Sequence, residues 1–357
     1  MRRFLMLVCL LALLLPARTL AEEADTVYIL VDDRGKTITQ YAGTPEAGDE
    51  YISHDNRHYV VRSVDEMTHT ALAESLGSYA MPDVRWLQGE SQAVSAGEGR
   101  AVALYCTHSD ESYAPTDGKA SVTPRGGIYD VAEALKANLE SRGVTVYYDD
   151  STHLPHDAGA YRRSRATAEE LLKNRVDAIF DVHRDGIPDP KQYETTIDGQ
   201  QASMVRLLVG RSNQNTESNK AFAAELKAVA DTLYPELVRD IYIGKGTYNQ
   251  DLSPHAVLLE FGTHTIDKDR AEQATRYMAE TIQKTLYGGV SGAAAGDRAA
   301  DTRRGAWTGV AWIVGLVLVG ACGFALLSTG NLRQAAGKLG DGVREISGGL
   351  LNKKNKE

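Results

Sequence analysis

The chain has 357 residues, with 39 Lys+Arg against 48 Asp+Glu for a formal net charge of −9, and it is 43% hydrophobic and 24% charged. That composition excludes a disordered chain and is long enough for one substantial core plus a smaller unit. An acidic balance with no basic run inside the folded region offers nucleic acid no electrostatic footprint.

In chain order, Met1-Arg2-Arg3 precedes the apolar run FLMLVCLLALLL, followed by Pro16 and the small-residue stretch Thr19-Leu20-Ala21. This reads as a secretory signal, residues 1–21, cleaved after Ala21, because the run falls short of the ~20 residues a membrane span needs. Residues 22–96 are β-rich. TVYILVDDRGKTITQY holds two strand-like runs about Asp33-Arg34-Gly35, and DEYISHDNRHYVVRSVD holds two more about Asp55-Asn56, so hairpins and a small β unit are expected.

From about residue 97 strands and helices alternate. Strands are predicted at 101–106, 144–148, 176–182, 203–209 and 256–261, and helices at 127–142, 161–174, 217–233 and 268–286. The first helix carries Ile128, Val131, Leu135 and Leu139 at helical spacing and stops at Gly143, suited to the left-handed position after a helix. Such alternation over 97–288 predicts an α/β domain with a twisted, mostly parallel sheet flanked by helices.

Residues 289–305 are small, polar and without periodicity, as in a flexible tether. Ala306 to Ser328 is uncharged and about 34 Å long as a helix, enough to cross a bilayer, so a C-terminal transmembrane helix is expected over 306–328. The tail, 329–357, carries Lys353, Lys354 and Lys356, though Arg303 and Arg304 lie on the near side; taken with the signal, this puts the body of the chain, with its catalytic domain, outside the cell and the tail in the cytoplasm, as a single-pass protein of the cell membrane. Of three cysteines, Cys9 and Cys322 lie in these apolar stretches and Cys106 in a strand, which leaves neither a disulfide framework nor a cysteine zinc site.

Ligands of open α/β sheets bind beyond the carboxyl ends of the strands. There the sequence places Thr107-His108-Ser109-Asp110-Glu111, then His183-Arg184-Asp185, then Glu260-Phe261-Gly262. Two imidazoles and one carboxylate as ligands, with a separate carboxylate as base, match a catalytic zinc site with one open coordination position. H-x-x-E alone also fits a solvated loop, and His183 alone also fits a buried, hydrogen-bonded histidine. Glu260 is sharper, because a carboxylate within AVLLEFG is costly to bury without a task. Asp181 and Asp185 are candidates for orienting the histidines. Cys106 reads as a buried, inert thiol, His264 as a loop residue, and His153, His156 and His255 as surface residues. Arg162, Arg163 and Arg165 read as the solvated face of a helix start, and Tyr248-Asn249-Gln250-Asp251 as a polar loop lining the site.

YCTHSDESYAP at 105–115, GAYRRSRATAEELL at 159–172, FDVHRDG at 180–186 and YNQDLSPHAVLLEFG at 248–262 resemble, in order and spacing, the stage II sporulation protein P family. The upstream GDEYISHDNRHYVV is also similar to a segment preceding the catalytic domain in that family. The resemblance implies a zinc-dependent peptidoglycan hydrolase of the N-acetylmuramoyl-L-alanine amidase type, with endopeptidase activity, acting in engulfment during sporulation. It implies a phosphorylase/hydrolase-like α/β fold and, as partners, the lytic transglycosylase stage II sporulation protein D and the membrane protein stage II sporulation protein M. It puts the zinc ligands on His108, Glu111 and His183 and the catalytic glutamate on Glu260. One departure stands out: related amidases commonly take their glutamate ligand just before the first helix, where this chain reads Pro124-Arg125-Gly126-Gly127. Two other readings remain open, a zinc carboxypeptidase acting on stem peptides and a wall-binding scaffold with an inactive site.

Overall fold

The computed structural model describes residues 26–88, 100–157 and 159–288. The expected signal segment, tether, membrane helix and tail lie outside the described residues. Among the described residues no helix is long and apolar enough to cross a membrane.

Five strands come first: β1 (Val27–Val31), β2 (Thr37–Ala42), β3 (Glu50–Ile52), β4 (Arg57–Asp65) and β5 (Thr70–Ser78). The two expected hairpins form, with Gly35 at φ 76° in one turn and Asn56 at φ 61° in the other, where a short polar side chain or none tolerates the left-handed conformation. The α/β part then contributes β6 (Ala101–Tyr105), β7 (Thr145–Tyr148), β8 (Ala178–Asp185), β9 (Glu194–Ile197), β10 (Gln200–Ser203), β11 (Val205–Gly210), β12 (Val238–Gly244) and β13 (Ala256–Thr263). Its helices are α1 (Ala114–Asp117), α2 (Ile128–Glu140), α3 (Ala160–Leu172), α4 (Thr216–Leu233) and α5 (Lys268–Tyr287).

Among the described residues eleven strands make one sheet in the order β2-β1-β5-β4-β3-β12-β11-β13-β8-β6-β7. The N-terminal strands therefore do not stand apart as a unit of their own; β3 pairs antiparallel with β12 and carries them into the main sheet. From β12 to β7 the sheet is mostly parallel, with β13 antiparallel to β11 as the exception. The N-terminal strands are mainly antiparallel, so the sheet as a whole is mixed.

Side chains alternate across the sheet, and the alternation decides what each face holds. Val102, Leu104, Phe180, Val182, Leu207, Ile241, Leu259 and Phe261 point to one face and pack with α2, α4 and α5. The other face takes Ala103, Tyr105 and Ile179, which pack against Ala168 and Leu171 of α3. Farther along it, Leu208, Tyr242 and Leu258 pack with Leu30, Tyr41 and Val61 of the N-terminal strands. Tyr41 stacks on Tyr242 with centroids 3.9 Å apart, so the sheet curls until β2 lies over β12. This second face is also the one to which Asp181, His183, Asp185, Arg206, Asp240 and Glu260 belong by the same period of two.

β12 and the β9–β10 hairpin were not expected. Arg239 and Asp240 hide a buried strand within the run VRDIYIG, and Asp198-Gly199, both at positive φ, form the tight turn of the hairpin.

Candidate metal centre

Strands β6, β8 and β13 run parallel, so their carboxyl ends share one edge, and Glu260 is paired in register with His183. Just past β6 the chain turns through Thr107 to Ser112. The segment 120–128 pins that turn: Val122 N donates to the Asp110 carbonyl (2.8 Å), Gly126 N to the Ser109 carbonyl (2.8 Å) and Ile128 N to the Glu111 carbonyl (3.0 Å). A side chain at Gly126 would run into the Asp110 and Glu111 carbonyl oxygens. Held this way, Glu111 reaches both histidines.

His108, Glu111 and His183 each present a ligand atom, and these atoms lie within 4.8 Å of one another. Glu111 Oε1 is 3.0 Å from His108 Nδ1 and 3.2 Å from His183 Nδ1, while Oε2 accepts from the Arg184 amide at 2.9 Å. Two imidazole nitrogens aimed at one carboxylate oxygen need either a hydrogen on each Nδ1, which a neutral ring also supplies, or a shared cation. Burial lowers the His108 imidazole. Although burial opposes it, Asp181 and Glu111 hold the His183 imidazole well above its ordinary range. Glu111 in turn is held well below the carboxylate range, against the effect of its burial, by His183 and His108. A buried nitrogen–oxygen–nitrogen set that stays ionised at its carboxylate fits Zn²⁺.

Around this set the chain supplies rigid support. Asp181 Oδ1 approaches His183 Nε2 to 2.9 Å, outside hydrogen-bond alignment; the carboxylate is fixed by Thr107, whose amide donates to Oδ1 (2.8 Å) and whose hydroxyl donates to Oδ2 (2.6 Å). The Asp185 carboxylate is engaged away from the two ligand histidines, accepting from Tyr193 Oη at 2.6 Å and Arg206 Nη1 at 2.9 Å. Glu260 lies beside that pair, with Oε2 3.3 Å from Tyr193 Oη and 3.8 Å from Arg206 Nη1. Burial, with the Asp185 carboxylate next, pushes the Glu260 carboxyl up to about 8.

Several other expectations change. His156 is no plain surface residue: its ring stacks on His108 with centroids 3.9 Å apart and its Nδ1 lies 3.0 Å from Asp110 Oδ1. His153 is buried, with Nδ1 2.8 Å from the Cys106 carbonyl oxygen. Arg163 donates to the His153 carbonyl (2.7 Å) and Arg165 holds Asp251 with two bonds (2.9 and 2.8 Å), so α3 ties two loops to the site rather than presenting a solvated row. Cys106 is buried and burial pushes its thiol well up, as an inert thiol requires. His255 is exposed, and His264 joins loops through its backbone, accepting from Ala114 N at 2.8 Å. Tyr248 and Asn249, at φ 50° and 55°, place two left-handed residues in succession beside Tyr161, whose ring meets those of Tyr248 (5.2 Å) and His108 (5.4 Å). Strain of this kind collects at functional sites.

The sequence pattern of one family, Stage II sporulation protein P, matches residues 38–283. Stage II sporulation protein P of Bacillus subtilis (strain 168) is 28% identical over 212 residues, 54% of this chain and 53% of that protein; the chain thus spans about half the length of the curated relative it matches. Among solved structures, the N-acetylmuramoyl-L-alanine amidase AmiC2 of Nostoc punctiforme is 16% identical, covering 53% of this chain and 96% of its own, at a TM-score of 0.31. The CwlD amidase of Clostridioides difficile, solved in complex with the GerS lipoprotein, is 18% identical, covering 53% and 98%, also at 0.31. Superpositions this loose carry no conclusion about activity.

Proposed function

The chain belongs to the stage II sporulation protein P family, and from that premise we propose that it hydrolyses the amide bond between the lactyl group of N-acetylmuramic acid and L-alanine in peptidoglycan. The observation that carries this reading is the convergence of His108, Glu111 and His183 on one point, with Glu260 in register beside His183. A zinc ion held by those three residues would supply Lewis acidity toward the amide carbonyl and toward water. Glu260 acts as general base: its carboxylate takes the proton of the attacking water and passes it to the nitrogen of the leaving L-alanine. Glu111, fixed by the Arg184 amide, keeps both imidazoles aimed inward. Asp181, locked by Thr107, holds its negative charge beside Nε2 of the His183 ring.

The family resemblance supports action during engulfment with stage II sporulation proteins D and M, and the apolar segments at 1–21 and 306–328 support a catalytic domain outside the membrane. The test of the reading is mass spectrometry of purified wall digested by the chain. Amidase action leaves free lactyl ends on the glycan and free L-alanine amino termini on the stems, and a chelator abolishes both. Products cut only within the stem peptide would replace this reading with a peptidase.

A further inference from the structure

On the same sheet face, one step from Glu260, lies a group of charges the proposed chemistry has not used. Arg206 on β11 is opposite Glu260 in the β11–β13 register, and its side chain is 0% exposed. Its Nε donates to Asp240 Oδ1 (2.7 Å) and its Nη2 to Asp240 Oδ2 (3.2 Å). Nη1 donates to Asp185 Oδ2 (2.9 Å) and sits 3.8 Å from Glu260 Oε2. Nη2 also donates to the Gln40 carbonyl of β2 (3.0 Å). Asp240 is held from its other side by Arg239 Nη1 (2.6 Å), and Arg239 Nη2 reaches the Thr39 hydroxyl of the same strand (2.9 Å).

A buried ion network is a poor route to stability, since apolar residues of equal volume commonly serve as well or better. This one has a direction: it begins on an N-terminal strand and ends at the proposed base. Asp185 and Glu260 are neighbouring buried carboxylates that repel each other, and Arg206 touches the first and faces the second. A planar guanidinium makes these four bonds to Asp240, Asp185 and the Gln40 carbonyl from one fixed fork; an ammonium has only three donors and no fork. We infer that Arg206 is a positioning residue for Glu260, and that β2, through Gln40 and Thr39, completes its hold. The N-terminal strands thereby belong to the catalytic apparatus. The inference rests on Glu260 acting as the base.

The test uses the full chain and two variants, Arg206→Lys and the peripheral Thr39→Val, with crystal structures of each and steady-state turnover of a soluble muramoyl-peptide. A displacement of about 1 Å in a reacting group costs up to about 10² in rate. Arg206→Lys is expected to move the Glu260 carboxylate while His108, Glu111 and His183 stay in place and bound zinc is retained, and to lower kcat ~10- to 100-fold with KM within about twofold. Thr39→Val is expected to give a smaller loss of the same kind, roughly two- to tenfold in kcat, and it carries the test if Arg206→Lys fails to fold. An unmoved Glu260 with unchanged kcat overturns the inference, as does a loss of rate that only follows a loss of zinc. A wild-type chain that cuts the muramoyl-peptide elsewhere than at the lactyl–L-alanine amide, with the same kcat losses in the variants, sinks the amidase reading and leaves the positioning standing.

Discussion

Glu111 Oε1 facing two imidazole nitrogens is the feature from which the residue-scale behaviour follows. Removing it in Glu111→Ala leaves His108 and His183 without the anion between them. Zinc affinity, read by competition with a chelator, should fall by more than the ~10- to 100-fold that loss of an outer partner costs; unchanged affinity would exclude Glu111 as a ligand. Glu260→Gln keeps shape but cannot accept a proton, so zinc stays and turnover drops ~10²- to 10⁴-fold. Because Glu260 works only when ionised, kcat/KM falls as pH drops through its pKa. A cation on the adjacent ligands lowers that pKa from the value of about 8 toward its ordinary 4.5, so the acid limb should lie between the two and vanish in Glu260→Gln. A wild-type profile flat down to pH 4.5 would contradict this assignment of the base. His108, His183 and Glu260 were legible as residues because each lies near the carboxyl end of a buried strand, His108 just past it. His156 was not: its place on His108 depends on a loop closing from far along the chain, and nothing in the local pattern announces that.

At the scale of elements, the strands carry their message in alternation. In AIFDVHRD the residues Asp181, His183 and Asp185 fall on one face, and in AVLLEF so does Glu260, so polar groups at every second position of an apolar run already marked the functional side of the sheet. Arg206 in VRLLVG and Asp240 in VRDIYIG carry the same mark, but a single charge near a strand end also fits a solvated terminus, and the strand holding Asp240 was missed altogether. The loop before β13 depends on local chemistry as well. Asn249 Nδ2 donates to the Tyr161 carbonyl (3.0 Å) and to Ser164 Oγ (3.1 Å) from a left-handed backbone. Asn249→Ala loses both bonds and the residue type best suited to that conformation, which should destabilise the chain by about 1–3 kcal/mol. An unchanged Tm would show the loop to be held by its other contacts. At the start of α2, Gly126→Ala forces the Glu111 backbone away and should cost zinc affinity while leaving the helices intact by circular dichroism; normal zinc binding would show that the turn at 108–112 can yield.

For the whole molecule, the curl of the sheet matters most. The hairpins of the N-terminal region were readable from their turns, but their packing over β11–β13 was not, because it rests on Tyr41, Leu30 and Val61 meeting Tyr242, Leu208 and Leu258 across long sequence separations. The placement of the folded part outside the membrane and of the tail inside it is a proposal resting on the apolar segments at 1–21 and 306–328. Protease treatment of intact protoplasts should release the folded part while a tag after Glu357 stays protected, and digestion of the tag from outside would reverse the orientation. The central claim, one metal at the carboxyl edge of β6 and β8, is tested most directly by anomalous diffraction at the zinc edge from crystals of the full chain. A single peak about 2.0–2.2 Å from one atom each of His108, Glu111 and His183 is predicted; a peak elsewhere, or none in zinc-loaded protein that still cuts the wall, would contradict it.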